Sequence, residues 1–203
     1  DGMDTAVGYL AGIVRILLYN ALLTPQVYGS ISALPFLHIG ETRFKRLSAI
    51  HPAGALVRSL LPANVDAQRM RPFQTQDRIK SMLAGAGMTC VLDLARALNT
   101  ASRPRLLRYP LLIADSQLRD ALHARMKKAG LGVSRMYPAA LPGIAGLEQV
   151  MVPGESYPGA ERFARSILTL PTHARVETRH IQAMETIMVQ SCAGRSPVPG
   201  PGR

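Results

Sequence analysis

Histidine and cysteine are the side chains best suited to metal or redox chemistry, and their spacing in this 203-residue chain argues against both. The two cysteines, Cys90 and Cys192, form no CxxC pair and are too few for a disulfide scaffold, so a reduced, cytoplasmic setting is the default expectation. Metal-ligand spacing is absent among the histidines, which are His38, His51, His123, His173 and His180. We therefore predict no metal site.

Motifs for nucleophilic catalysis or phosphate cradling are also missing. The chain has no Gly-x-Ser-x-Gly sequence. Its glycine-rich stretch Gly85-Ala-Gly87 lacks the third glycine and the lysine of known phosphate loops.

Three single residues remain as binding candidates. The planar guanidinium of Arg46 suits a phosphate or a carboxylate, although an ion pair at a helix start is an equally simple role. Tyr137 offers an apolar ring and a hydroxyl, unless it ends a strand inside the core. His173 follows a Pro-Thr turn, where a capping or packing role before the last helix is the alternative.

The elements that must position these residues divide into two parts. In the first part, residues 5–23 form an apolar run with one charge, Arg15, which favours a buried or interface helix over a membrane span. Residues 24–44 are a connector, broken by proline and glycine. Helices are predicted over 47–61, with Ser48 as a possible cap and Pro52 in the first turn, and over 65–83, with a division at Pro72.

The second part alternates between strands and helices. Strand 106–114 leads into helix 116–129, which has Asp115 or Ser116 as its cap, Gly130 at its end and an apolar stripe of Leu118, Leu122 and Met126. The elements that follow are a second strand over 132–137, a loop over 139–159, helix 160–167, strand 168–170 and helix 176–189. Residues 194–203, GRSPVPGPGR, have the composition of a disordered tail.

This order predicts an α+β or α/β fold, with a small sheet covered by helices. We assign residues 1–88 to a helical linking segment, 89–193 to a small α/β domain and 194–203 to the tail. The net charge of +11 comes mainly from scattered arginines, which does not match the concentrated basic face of a nucleic-acid-binding protein.

Several segments, in this order and spacing, resemble the C-terminal part of the DegT/DnrJ/StrS aminotransferases. They are Phe44–Gly54, Tyr109-Pro110, Lys128–Gly132, Tyr137-Pro138 and Ala164–His173. The resemblance implies the aspartate-aminotransferase fold, the cofactor pyridoxal phosphate (PLP) and a homodimer. It also implies transfer of an amino group from an amino acid, typically glutamate, to a keto sugar on a nucleotide, for polysaccharide biosynthesis. Arg46 would then bind the cofactor, and Tyr137 and His173 the substrate.

Such an enzyme needs a lysine that forms an imine with PLP. The chain has four lysines, and none stands in the Ser-rich, Gly-Gly context of the family: Lys45, Lys80, Lys127 and Lys128. The resemblance therefore implies a catalytic lysine upstream of Asp1 and a chain that is catalytically incompetent alone, which would not necessarily bind PLP by itself.

Two positions depart from the family pattern and leave alternatives open. Phe44 replaces an asparagine that reaches the cofactor phosphate of the neighbouring subunit, and Met136 replaces a histidine. Both changes favour a non-catalytic binding or assembly module. A membrane-associated protein anchored by residues 5–23 is the third alternative.

Overall fold

The computed structural model describes residues 2–22, 42, 44–50, 52–97, 103–147, 150–152 and 155–194. It contains two compact units, Asp1–Arg71 and Pro72–Arg203, called here the N-terminal and the C-terminal unit. The predicted tail from residue 195 onward, and most of the predicted connector 24–44, lie outside the described residues.

The described residues of the N-terminal unit form two helices, α1 (Gly2–Leu22) and α2 (Ala55–Met70). They approach closely at Gly12, where an added Cβ would lie 3.0 Å from Leu56 Cδ2. Among the described residues, no helix combines the length and the apolar character that a membrane crossing requires.

Helix α2 corrects the prediction of a helix over 47–61. The described residues between 47 and 54 are not helical, and α2 begins only after Gly54, whose backbone is extended. Pro52 explains the late start, because proline disfavours helical backbone in the residue before it. Pro62, which directly follows the predicted helix 47–61, lies inside α2, a position that is normally unfavourable for proline.

The C-terminal unit begins with α3 (Gln74–Gly85), separated from α2 near Pro72 as predicted. Its sheet contains β1 (Leu92–Asp93), β2 (Arg108–Leu112) and β3 (Ile167–Pro171), all antiparallel, in the order β1-β2-β3. A short helix, α4 (Leu94–Ala97), follows β1. The unit is therefore a small α+β structure in which α3 packs with the sheet and its helices, although residues 74–85 were predicted to belong to the linking segment.

The described part of this unit also contains three longer helices, α5 (Ser116–Lys128), α6 (Pro158–Ser166) and α7 (Thr178–Cys192), and a 3-10 helix over Leu141–Gly143. Asp115 caps α5, because its carboxylate accepts hydrogen bonds from the N–H groups of Gln117 (2.9 Å) and Leu118 (3.1 Å). Gly130 has a φ of 68° at the other end. The predicted stripe of α5 is confirmed as core, together with Ile181, Met184 and Met188 of α7.

The two cysteines contradict the expectation of free thiols. Cys90 and Cys192 form a disulfide, with their Cα atoms 6.0 Å apart, that joins the segment before β1 to the last residue of α7. No local pattern indicates this pair, because 102 residues separate the partners.

Candidate functional site

The segment 132–137, predicted as a strand, is reduced to a single bridge alongside β3. Ser134 N–H donates to Thr169 O (3.1 Å), and Thr169 N–H donates to Ser134 O (2.8 Å). Extended pairing cannot continue, because Gly132 and Met136 have φ values of 64° and 60°. The left-handed turn at Met136 leaves both Met136 and Tyr137 exposed.

Tyr137 is thus a surface residue and not a strand-end core residue, with 46% of its area exposed. Its ring lies 6.1 Å from the ring of Phe163 on α6, centroid to centroid, in a tilted arrangement. The exposed pair offers an apolar face, and the Tyr137 hydroxyl can donate or accept a hydrogen bond.

Hydrogen bonds from Arg108 of β2 hold this segment in place. Its Nε donates to Thr169 Oγ1 (2.7 Å), and its Nη2 donates to Gly132 O (2.6 Å) and Thr169 O (3.0 Å). Burial lowers the pKa of Arg108. This anchoring role was not predicted from the sequence, because nothing in the sequence distinguishes Arg108 from the other arginines of the chain.

A second anchor of the segment is ionic. Arg135 Nη1 lies 3.5 Å from Asp120 Oδ1 on α5, and the same oxygen lies 3.0 Å from Arg119 Nε without an aligned hydrogen bond. Arg119 is buried, donates from Nη1 to Ala164 O (3.2 Å) and so ties α5 to α6. Burial lowers the pKa of Arg119, and Asp120 opposes that shift. The turn that presents Tyr137 therefore has supports on β2, β3 and α5.

His173 lies in the turn between β3 and α7 and is exposed. Its carbonyl accepts a hydrogen bond from Val176 N–H (3.0 Å). The capping histidine of α7 is His180, whose Nδ1 accepts from Glu177 N–H (3.0 Å) while the Glu177 carboxylate accepts from the backbone of His180. This capping box was not predicted from the sequence.

Arg46 lies in the N-terminal unit, in the exposed, non-helical segment 44–50. Since α2 begins only at Ala55, Arg46 cannot form the expected ion pair at a helix start. The structure does not bring the predicted residues together. The bridge between Ser134 and Thr169 is antiparallel, so Tyr137, beside Phe163, lies near the start of β3, whereas His173 lies beyond its end at Pro171. Arg46 belongs to the other unit.

One solved structure gives a relevant likeness. The chain is similar to DesV of S. venezuelae, determined in complex with a ketimine intermediate, with a TM-score of 0.51 and 20% sequence identity. The match covers 75% of this chain and 42% of the DesV chain, so this chain spans less than half of its neighbour. No protein-family profile and no curated protein matches the sequence. At 20% identity, this likeness shows only that the chain shares part of the fold of DesV.

Proposed function

We propose that this chain is the linker and small domain of a PLP-dependent sugar aminotransferase of the DegT/DnrJ/StrS type. The observation that carries the proposal is the structural likeness to DesV, a PLP-dependent sugar aminotransferase, over three quarters of the chain. The order of the family-like segments around Tyr137 and His173 supports it independently. On this proposal the reaction moves an amino group from an amino acid to a keto sugar nucleotide.

The residues present do not form a PLP site by themselves. All four lysines are exposed, so none occupies the desolvated surroundings that activate an imine-forming amine. Arg46 is exposed as well. We therefore propose that the imine-forming lysine belongs to sequence outside this chain, and we assign this chain no catalytic residue.

The role left to this chain is substrate binding. Tyr137 presents a ring and a hydroxyl from a turn with several anchors, whereas the exposed His173 lies at the other end of β3 and would contact a different part of a substrate. A hydrogen bond from the Tyr137 hydroxyl can orient a hydroxyl group of a sugar, while the Tyr137–Phe163 pair packs on its apolar face.

Reduction of the chain with borohydride in the presence of PLP tests the missing lysine. We expect no stoichiometric lysine adduct in the intact mass, and no absorption band that glutamate changes. A single-lysine adduct whose band shifts on addition of glutamate would show a working cofactor site and overturn this part of the proposal. The glutamate response distinguishes catalysis from nonspecific modification of an exposed amine.

Sugar-nucleotide binding tests the proposed role of Tyr137. Saturation-transfer NMR with UDP-glucose should show transfer to the sugar protons, and Tyr137→Ala should reduce it. Tyr157→Ala is the matched control, because Tyr157 is also an exposed tyrosine. Equal signals from the two variants would contradict the assignment.

A non-catalytic binding or assembly module is the second candidate. It is favoured by Phe44 and Met136, which are exposed and apolar at positions where the family has polar residues. Absence of both a PLP response and sugar-nucleotide binding would favour this candidate.

We also propose a homodimer in the cytoplasm. Cytosolic proteins rarely keep structural disulfides, so this location requires Cys90 and Cys192 to be reduced in the cell. Alkylation of thiols during rapid lysis tests the requirement, and an intact bond would argue for an oxidising compartment.

A further inference from the structure

A cavity of about 590 Å³ opens in the C-terminal unit, where α3 ends and the chain continues toward β1. Small-molecule sites commonly have volumes of this order. Leu83 and Val91 contribute apolar walls, and the side chains of Lys80 and Arg96 contribute positive charge. Neither Tyr137 nor His173 lines this cavity, so a ligand bound there would be independent of the proposed function.

The charge of the lining is not neutralised. Asp93 is its one carboxylate, and both of its oxygens are engaged: Oδ2 accepts from the Tyr109 hydroxyl (2.8 Å) and Oδ1 from the backbone N–H of Arg96 (3.0 Å). Within the described residues, the side chains of Lys80 and Arg96 have no carboxylate partner. Two cations and one carboxylate leave the lining with a net charge of +1.

Two residues outside the lining, Cys90 and Tyr109, hold parts of it in place. Cys90, between the lining residues Thr89 and Val91, is bonded to Cys192 of α7. Tyr109, which holds Asp93, is buried in β2. Such anchoring lowers the ordering cost of ligand binding, and the Tyr109–Asp93 hydrogen bond supplies it even when the two cysteines are reduced.

We propose that this cavity binds a small organic phosphate ester. The phosphate would lie against Lys80 and Arg96, since a dianion suits two cationic donors, and the organic group would pack on Leu83 and Val91. Thr89, which also lines the cavity, offers a hydroxyl donor to the same oxygens.

Fluorine NMR of the full chain with 4-fluorophenyl phosphate tests the proposal, with 4-fluorophenol as the neutral comparison. The phosphate should bind at least about tenfold more tightly than the phenol, as expected for hydrogen bonds to a charged group. Lys80→Gln and Arg96→Gln should each weaken phosphate binding by about tenfold. Both side chains are exposed, so the variants should fold, which circular dichroism will verify.

Matched controls are Lys128→Gln and Arg162→Gln, which remove exposed cations that do not line the cavity. They should leave binding unchanged. Equal binding of the phosphate and the phenol, no binding of either, or the same loss in the control variants would overturn the proposal.

Discussion

Arg108 shows how one side chain can fix a candidate binding surface without belonging to it. Its three hydrogen bonds join β2 to β3 and to the segment that ends at Tyr137. We predict that Arg108→Gln lowers the free energy of unfolding by roughly 2–3 kcal/mol, because the buried Thr169 loses a charged donor to both its hydroxyl and its carbonyl. Urea denaturation measures this loss.

The control for that experiment is Arg162→Gln, which removes an exposed arginine of the same unit and should change stability by less than about 0.5 kcal/mol. Amide exchange gives a second readout, since the Ser134 N–H bonded to Thr169 O should lose protection in Arg108→Gln. Unchanged protection there would contradict the anchoring role.

His123 on α5 provides a prediction about pH. Partial burial lowers its pKa, and so do the nearby charges of Arg135, Lys127 and Arg119, with Asp120 opposing them. The unfolded chain therefore binds a proton at a higher pH than the folded chain does. The contribution of His123 to stability is complete above its unfolded pKa of about 6.5 and is lost as pH falls below that value.

Histidine NMR resonances, assigned with His123→Gln, should give a His123 pKa below the ordinary value. Arg135→Gln should raise it, because one repelling charge is removed and Asp120 loses a partner. A His123 pKa that does not respond to Arg135→Gln would argue against this electrostatic account.

Among the elements, α7 carries the longest-range covalent constraint, the bond from Cys192 to Cys90. A disulfide that closes a loop of this length typically stabilises by roughly 2–5 kcal/mol, by restricting the unfolded chain. We predict a loss in this range for Cys192→Ser in oxidising buffer, measured by urea denaturation. In reducing buffer, wild type and variant should unfold alike. Equal stability under oxidising conditions would contradict a formed bond.

Local sequence signals predicted the elements that depend on local interactions. Helix α5 has its cap, its buried stripe and its terminal glycine within one short stretch, and all three were confirmed. Segment 132–137 could not be predicted correctly, because a left-handed Met136 has no sequence signature. Arg108 and the disulfide depend on partners far along the chain, so no local pattern indicates them.

The same limit applies to the candidate site, where some neighbours meet only through tertiary packing. Tyr137 and His173 could be named from their resemblance to a family, but Phe163, the ring beside Tyr137, could not. Its position follows from how α6 packs, which periodicity alone does not specify. The start of α2 was predicted too early, because the apolar pattern extends upstream of Pro52. Proline disfavours helical backbone in the residue before it, and the apolar pattern does not reveal this constraint.

At the scale of the molecule, the N-terminal unit leaves much of its apolar surface uncovered. Helix α2 buries none of its residues. The exposed large apolar side chains described on its two helices are Leu10, Val14, Ile16, Leu17, Leu18, Val57, Leu60, Leu61, Val65 and Met70. A concentration of exposed apolar side chains often marks an interface, which motivates the proposed homodimer.

We therefore predict a concentration-dependent dimer in sedimentation equilibrium, weakened by Leu61→Glu. Burying a leucine contributes about 1.5–3 kcal/mol, so the dissociation constant should rise at least about tenfold. Leu107→Glu is the matched control, because Leu107 is an exposed leucine of the C-terminal unit, and it should leave the dimer intact. A wild-type chain that stays monomeric would reject self-association, and the apolar surface of α1 and α2 would then need cover from a different chain or domain.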